Sequence, residues 1–119
     1  MSKIKSNISI NVELDVNRVP EKIHWTAKDG GIENEAAGAF MVSVWDEKQK
    51  ECLRLDLWTK EMSIDDMKRF FHQTILSMAD TLERATNEER AAMKMRQYAH
   101  QFGLDVEIIE EVRKSGDKK

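Results

Sequence analysis

Between Glu51 and Leu82 the spacing of apolar residues changes once, and that change limits what the chain can fold into. Leu53, Leu55 and Leu57 recur at every second position. From Ile64 onward, Met67, Phe71, Ile75, Met78 and Leu82 follow at steps of three or four. A period of two sets side chains on alternate sides of a strand, whereas a period of 3.6 gathers them into one helical stripe. The segment therefore predicts a strand, a short turn and a long amphipathic helix. Over residues 64–85 that helix would be roughly 33 Å long at about 1.5 Å per residue, enough to cross a four-stranded sheet.

The helix start is marked by Ser63, an N-cap, with Asp66 three residues on to complete a capping box. Asp65 and Asp66 also suit the positive end of the helix dipole. Thr86 with Glu89 predicts a second box and a second helix to about Phe102, with Ala92, Met95, Ala99 and Phe102 on one face. Gly103 is placed as its C′ stop. A short third helix is expected over 105–114, carrying Val106, Ile109 and Val112, before a polar tail at 115–119.

Upstream, Ile8, Ile10, Val12, Leu14 and Val16 alternate with polar residues and predict the first strand. Pro20 belongs in the following turn or at a strand start, because it has no N–H to donate. Ile23, Trp25 and Ala27 predict a second strand, broken by Asp29-Gly30-Gly31. The polar stretch to about Ala37 reads as the longest loop, of the kind that carries binding or is merely variable surface. A third strand, 39–46, is apolar on both faces, with Phe40, Val42 and Val44 on one and Met41 and Trp45 on the other. Such a strand is doubly covered or lies beneath an interface. The fourth strand, 52–58, turns Leu53, Leu55 and Leu57 to the core and Arg54, Asp56 and Trp58 away.

The expected fold is α+β: a four-stranded antiparallel meander, a long helix packed across one face, and one or two further C-terminal helices. Residues 1–114 are expected to form a single domain, a size that buries a core without disulfides or metal. Hydrophobic residues make up 40% and charged ones 34%, a globular composition. A net charge of −3 with interspersed signs argues against nucleic-acid binding. The single cysteine, Cys52, suits a reducing compartment and reads as an inert thiol. The opening MSKIKSNISI has no apolar h-region and no run of about 18 apolar residues occurs, so neither a signal peptide nor a membrane span is expected. The long helix has an acidic first turn and no basic face, which disfavours binding to a membrane surface.

No catalytic or metal-binding constellation stands out. His24, His72 and His100 lie in separate elements, without metal-ligand spacing to another His or Cys. Asp65, Asp66 and Asp80 share the long helix, where solvation and dipole pairing account for them better than acid/base chemistry. Ser43, Ser63 and Ser77 lack a glycine elbow, and Gly30-Gly31 is no phosphate loop. The seven methionines fill cores or adaptable surfaces.

The feature with most functional content is aromatic. Met41, Trp45 and Trp58, with Arg54 and Asp56, fall on the sheet face opposite the long helix. That face is either a protein interface, where tryptophan is enriched, or is covered by the C-terminal helices.

The segments VELDVNRVPEKIHWTAKDG and MVSVWDEKQKECLRLDLWTKEMSIDDMKRFFHQTILSMADTLERAT closely resemble the gliding-motility protein GldC family of Bacteroidota. The resemblance covers about residues 8–98 and does not extend past about Gly103. It implies a small cytoplasmic accessory protein of the gliding apparatus, linked to type IX secretion, with no enzymatic activity and no cofactor. It names a process and carries over no catalytic residues.

Two readings follow. One is a non-enzymatic interaction module that docks on a motility component or on a second copy of itself through Met41, Trp45, Arg54, Asp56 and Trp58. The other is a small apolar-ligand carrier or enzyme, with Trp25, Met67, Phe70 and Phe71 lining a pocket between sheet and long helix. Core stripes and pocket linings use the same residue types, so the sequence leaves both open.

Overall fold

The order of elements in the computed structural model, which describes residues 3–110, is five strands followed by two helices. These are β1 (Ser9–Leu14), β2 (Pro20–Ala27), β3 (Ile32–Ala37), β4 (Ala39–Asp46), β5 (Glu51–Trp58), α1 (Ile64–Thr86) and α2 (Glu89–Asp105). The chain is α+β, as expected, but the four-stranded meander is not what forms. There are two antiparallel sheets, one of order β1-β2-β3 and one of order β4-β5.

The extra strand is β3, in the stretch read as a polar loop. Its sequence, IENEAA, begins with one large apolar residue and then offers only Glu, Asn and Ala, so its alternation is silent. Pairing, not propensity, makes it a strand: Ile23 lies opposite Ala37, His24 opposite Ala36 and Trp25 opposite Glu35. The break at Asp29-Gly30-Gly31 is the turn of this hairpin. Gly31 closes a 3-10 turn over Lys28–Gly30 at φ 78°, a left-handed conformation that favours glycine.

The first strand is shorter than its alternation predicts. Val16 is in the turn and Ile8 precedes the strand, both exposed, while Ile10 and Val12 lie opposite Trp25 and Ile23. The turn forms because the Asp15 carboxylate accepts from the backbone N–H of Asn17 and Val19, at 2.8 and 3.0 Å. That local bonding competes with extension of the strand. Ile23 is the largest fully buried side chain among the described residues, at 1% exposure.

β4 and β5 pair without a register shift, from Ala39 opposite Trp58 to Asp46 opposite Glu51. Asp46 caps the hairpin turn, accepting from the N–H groups of Lys48 and Gln49 at 2.9 and 3.1 Å. The residues after β5 tie the strands together: Thr59 N–H donates to Gly38 C=O at 2.9 Å and Lys60 N–H to Pro20 C=O at 3.1 Å. Pro20 thus opens a strand with its carbonyl engaged and no N–H to leave unpaired.

The long helix forms where the periodicity placed it. Ser63 Oγ accepts from Asp66 N–H at 3.0 Å. The reciprocal half of the box is absent, because the Asp66 carboxylate takes Arg69 at 3.2 Å instead. The second box does not form either. Thr86 is the last residue of α1; its hydroxyl donates to Leu82 C=O at 2.7 Å and accepts from Glu88 N–H at 3.1 Å. Asn87 ends α1 in the left-handed conformation, with φ 61°.

Gly103 does not stop α2, which continues to Asp105. It is buried inside the last turn, and a Cβ there would collide with Ile109 Cδ1 and lie 3.3 Å from His72 Cδ2. Glycine is present for close approach, not for chain reversal. Residues 106–109 are turn and bend rather than the start of a third helix; the remainder of that expected helix, 111–114, and the tail 115–119 lie outside the described residues. α1 and α2 run antiparallel, as Asp80 meeting Arg96 and His72 meeting Gly103 require. Ala79 of α1, with Ala92, Ala99 and Gly103 of α2, are the buried positions, and small residues let helix backbones approach.

Contacts divide the chain into two units, Met1–Met62 with all five strands and Ser63–Lys119 with both helices.

Candidate functional site

Strand register alone decides which of the candidate residues meet. Met41 lies opposite Asp56, Ser43 opposite Arg54, Trp45 opposite Cys52 and Ala39 opposite Trp58. Successive side chains alternate faces, so all five candidates (Met41, Trp45, Arg54, Asp56 and Trp58) share one face of the β4–β5 hairpin. Trp45 is 57% exposed and Trp58 55%.

At the centre of this face Arg54 is held in place. Its Nη2 donates to Asp56 Oδ1 at 2.6 Å, its Nε to Asp56 Oδ2 at 3.3 Å, and its Nη1 to Ser43 Oγ. The two parallel bonds to the carboxylate fix the plane of the guanidinium. They also push its pKa above the ordinary arginine value, Asp56 stabilising the charged form. Cys52 is exposed, with Sγ 3.9 Å from Leu53 C=O. Trp58 and Asp56 also border a hollow closed by Val19, Pro20 and Lys60.

The reverse face departs from expectation. Leu53 and Leu55, expected to face the core, are each more than half exposed, as is Val44 on β4. Phe40 and Val42 are half-buried, and Phe40 meets Trp25 edge-on with ring centroids 5.5 Å apart. Each leucine left half-exposed forgoes about 1 kcal/mol relative to full burial. The hairpin thus leaves large apolar side chains more than half exposed on both of its faces.

The alternative pocket residues fall in both units. Trp25 is on β2, in contact with Phe40, whereas Met67, Phe70 and Phe71 are on α1. Within the helical unit an open groove of about 790 Å³ runs along α1 and is lined by Phe70, Thr74, Met78, Leu82 and Ala85, with Met95 from α2. Met67 and Phe71 do not line it. The groove shares Met78 and Leu82 with the predicted apolar stripe but otherwise draws on Phe70, Gln73, Thr74, Ser77 and Thr81 beside it, a mixed lining that no apolar period marks.

Two further cations are held in structural ion pairs. Arg96 bridges Asp80 and Glu83 at 2.8 and 2.7 Å. Lys60 holds Asp15 at 2.8 Å and Glu21 at 3.4 Å. No group of three His, Cys, Asp or Glu residues that could hold a metal ion occurs among the described residues, and no helix there is long and apolar enough to cross a membrane.

The search of curated proteins and the search of solved structures return no match. A family model does match, described as "Gliding motility-associated protein GldC-like", over residues 20–108. The match takes in β2 to β5 and both helices, and it runs past Gly103, where the resemblance seen in the sequence stopped. The chain belongs to the GldC-like family of gliding motility-associated proteins.

Proposed function

We propose that this protein is a non-enzymatic, cytoplasmic accessory factor of gliding motility, linked to type IX secretion, that works by binding protein through the tryptophan face of β4–β5. The observation that carries the reading is the pair of tryptophans, each more than half exposed, on one face of a shift-free hairpin. Tryptophan is costly to leave in water and concentrates at the centres of interfaces. The centrally fixed Arg54–Asp56 pair adds polar specificity without a free charge. A net charge of −3 gives no electrostatic footprint for nucleic acid.

The test is a chromosomal Trp45→Ala/Trp58→Ala double substitution in a gliding host that carries the protein, scored by colony spreading. Spreading is expected to fall to the level of a deletion strain while the variant protein persists at its normal abundance. Wild-type spreading would overturn the reading.

The second reading, a carrier for a small apolar ligand, draws on the apolar groove beside Phe70 and Met78. It predicts saturable binding of an apolar fluorescent dye that is lost in Phe70→Ser. Absence of dye binding by the wild type would remove it.

A further inference from the structure

We propose that the tryptophan face of β4–β5 is closed by a second copy of the same chain, stacked face to face about a two-fold axis that crosses the strands. The proposal rests on the reading of this face as a protein interface and names its occupant.

The face is self-complementary. Along β5 the outward residues run Cys52, Arg54, Asp56, Trp58; beside them on β4 lie Trp45, Ser43, Met41 and Ala39. A two-fold axis lying between the sheets and across the strands reverses the strand direction and keeps β5 over β5 and β4 over β4. Centred at the level of Leu55, it sets Trp58 of each copy over Cys52 of the other and Trp45 over Ala39. Each large ring meets a small residue, which lets the two layers interdigitate at the roughly 10 Å spacing of stacked sheets. The same operation places Arg54 of each copy over Asp56 of the other, so the cation–anion pairing forms twice across the interface. An isologous interface needs this reciprocal pairing. Arg54 retains capacity for it, because three of its five N–H donors are engaged within the chain.

The area is adequate. At 150–250 Å² for a whole aromatic side chain, the two half-exposed tryptophans and the six residues between them present roughly 500 Å² per copy. A pair would bury about 1,000 Å² in total, the lower bound for a specific interface.

Sedimentation velocity on the full chain across low to high micromolar concentrations provides the test. The wild type is expected to shift from the mass of one chain toward twice that mass, and Trp45→Ala/Trp58→Ala to stay single. Charge reversal tests the register. Arg54→Asp and Asp56→Arg should each remain monomeric alone, since like charges then face across the axis, and an equimolar mixture of the two should restore the dimer. Both positions are exposed, so circular dichroism is expected to show the wild-type fold in each. As an independent readout, the alkylation rate of Cys52 should fall as wild-type concentration rises, because Trp58 of the partner covers it. A wild type that is monomeric throughout, with a concentration-independent Cys52 rate, overturns the second copy as occupant. If the tryptophan variant nonetheless abolishes spreading, the interface reading survives with a different partner. A dimer that persists in the tryptophan and charge variants places self-association elsewhere and also overturns the proposal.

Discussion

Lys60 lies 45 residues from Asp15 in sequence and 2.8 Å from its carboxylate in space. The pair fastens the segment after β5 to the turn between β1 and β2, and Glu21 adds a second carboxylate at 3.4 Å. The ammonium, with the N–H groups of Val19 and Asn17, pulls the Asp15 carboxyl down to about 2. Lys60 is correspondingly raised above its ordinary value.

A carboxyl depressed in the folded state contributes stability above its unfolded pKa and loses that contribution as pH falls through the folded value. For Asp15 the window runs from the ordinary carboxylate pKa near 3.8 down to about 2. Thermal melts of the wild type and Asp15→Asn should differ at neutral pH and converge as pH drops through that window. A constant difference down to pH 2 would show that the carboxylate charge is not what matters.

Gly103→Ala sets two effects against each other. Alanine gains up to about 1 kcal/mol of helix propensity over glycine. Its Cβ would meet Ile109 Cδ1 and, at 2.8 Å, Cγ1. Overpacking of this kind costs about 1–3 kcal/mol, so net destabilisation is expected in urea unfolding. The double variant Gly103→Ala/Ile109→Ala should recover part of the loss, whereas a more stable single variant would refute the close contact.

Burial separates two aliphatic residues of the strand unit. Ile23→Ala removes a side chain that is 1% exposed and should cost about 2–5 kcal/mol. Leu55→Ala, at 53% exposure, should cost under about 1 kcal/mol in dilute protein. Equal losses in chemical denaturation would mean that Leu55 is covered in solution.

Ser63→Ala removes the one side-chain cap of α1 and should cost about 1 kcal/mol, with Ser63→Asp neutral. Glu88, at the corresponding place before α2, makes no side-chain cap bond. Glu88→Ala is therefore expected to leave the melting temperature nearly unchanged, and a drop as large as that of Ser63→Ala would contradict this.

The sequence made β4, β5 and α1 legible because their apolar periods are strong and their ends carry turn or cap residues. The same physics explains the misses. β3 has no apolar alternation to read, since its partner β2 supplies the pairing. Thr86 and Glu89 have the spacing of a capping box, but Asn87 between them adopts the left-handed conformation that ends α1. Gly103 looked like a stop because glycine serves chain reversal and close packing alike, and only the neighbouring Ile109 distinguishes them. At the candidate site, β-strand parity put Met41, Trp45, Arg54, Asp56 and Trp58 together in advance. The exposure of Leu53 and Leu55 was not readable, because alternation reports which side a residue is on and not what covers that side.

That parity has a consequence for how the hairpin tolerates change. The ladder from Ala39–Trp58 to Asp46–Glu51 contains no bulge to absorb a slip. Removing or adding one residue in either strand would exchange the tryptophan and leucine faces beyond that point, while changes of two would restore them. For length changes the two strands thus behave as an odd–even code, in which the identity of the outward surface survives only even edits.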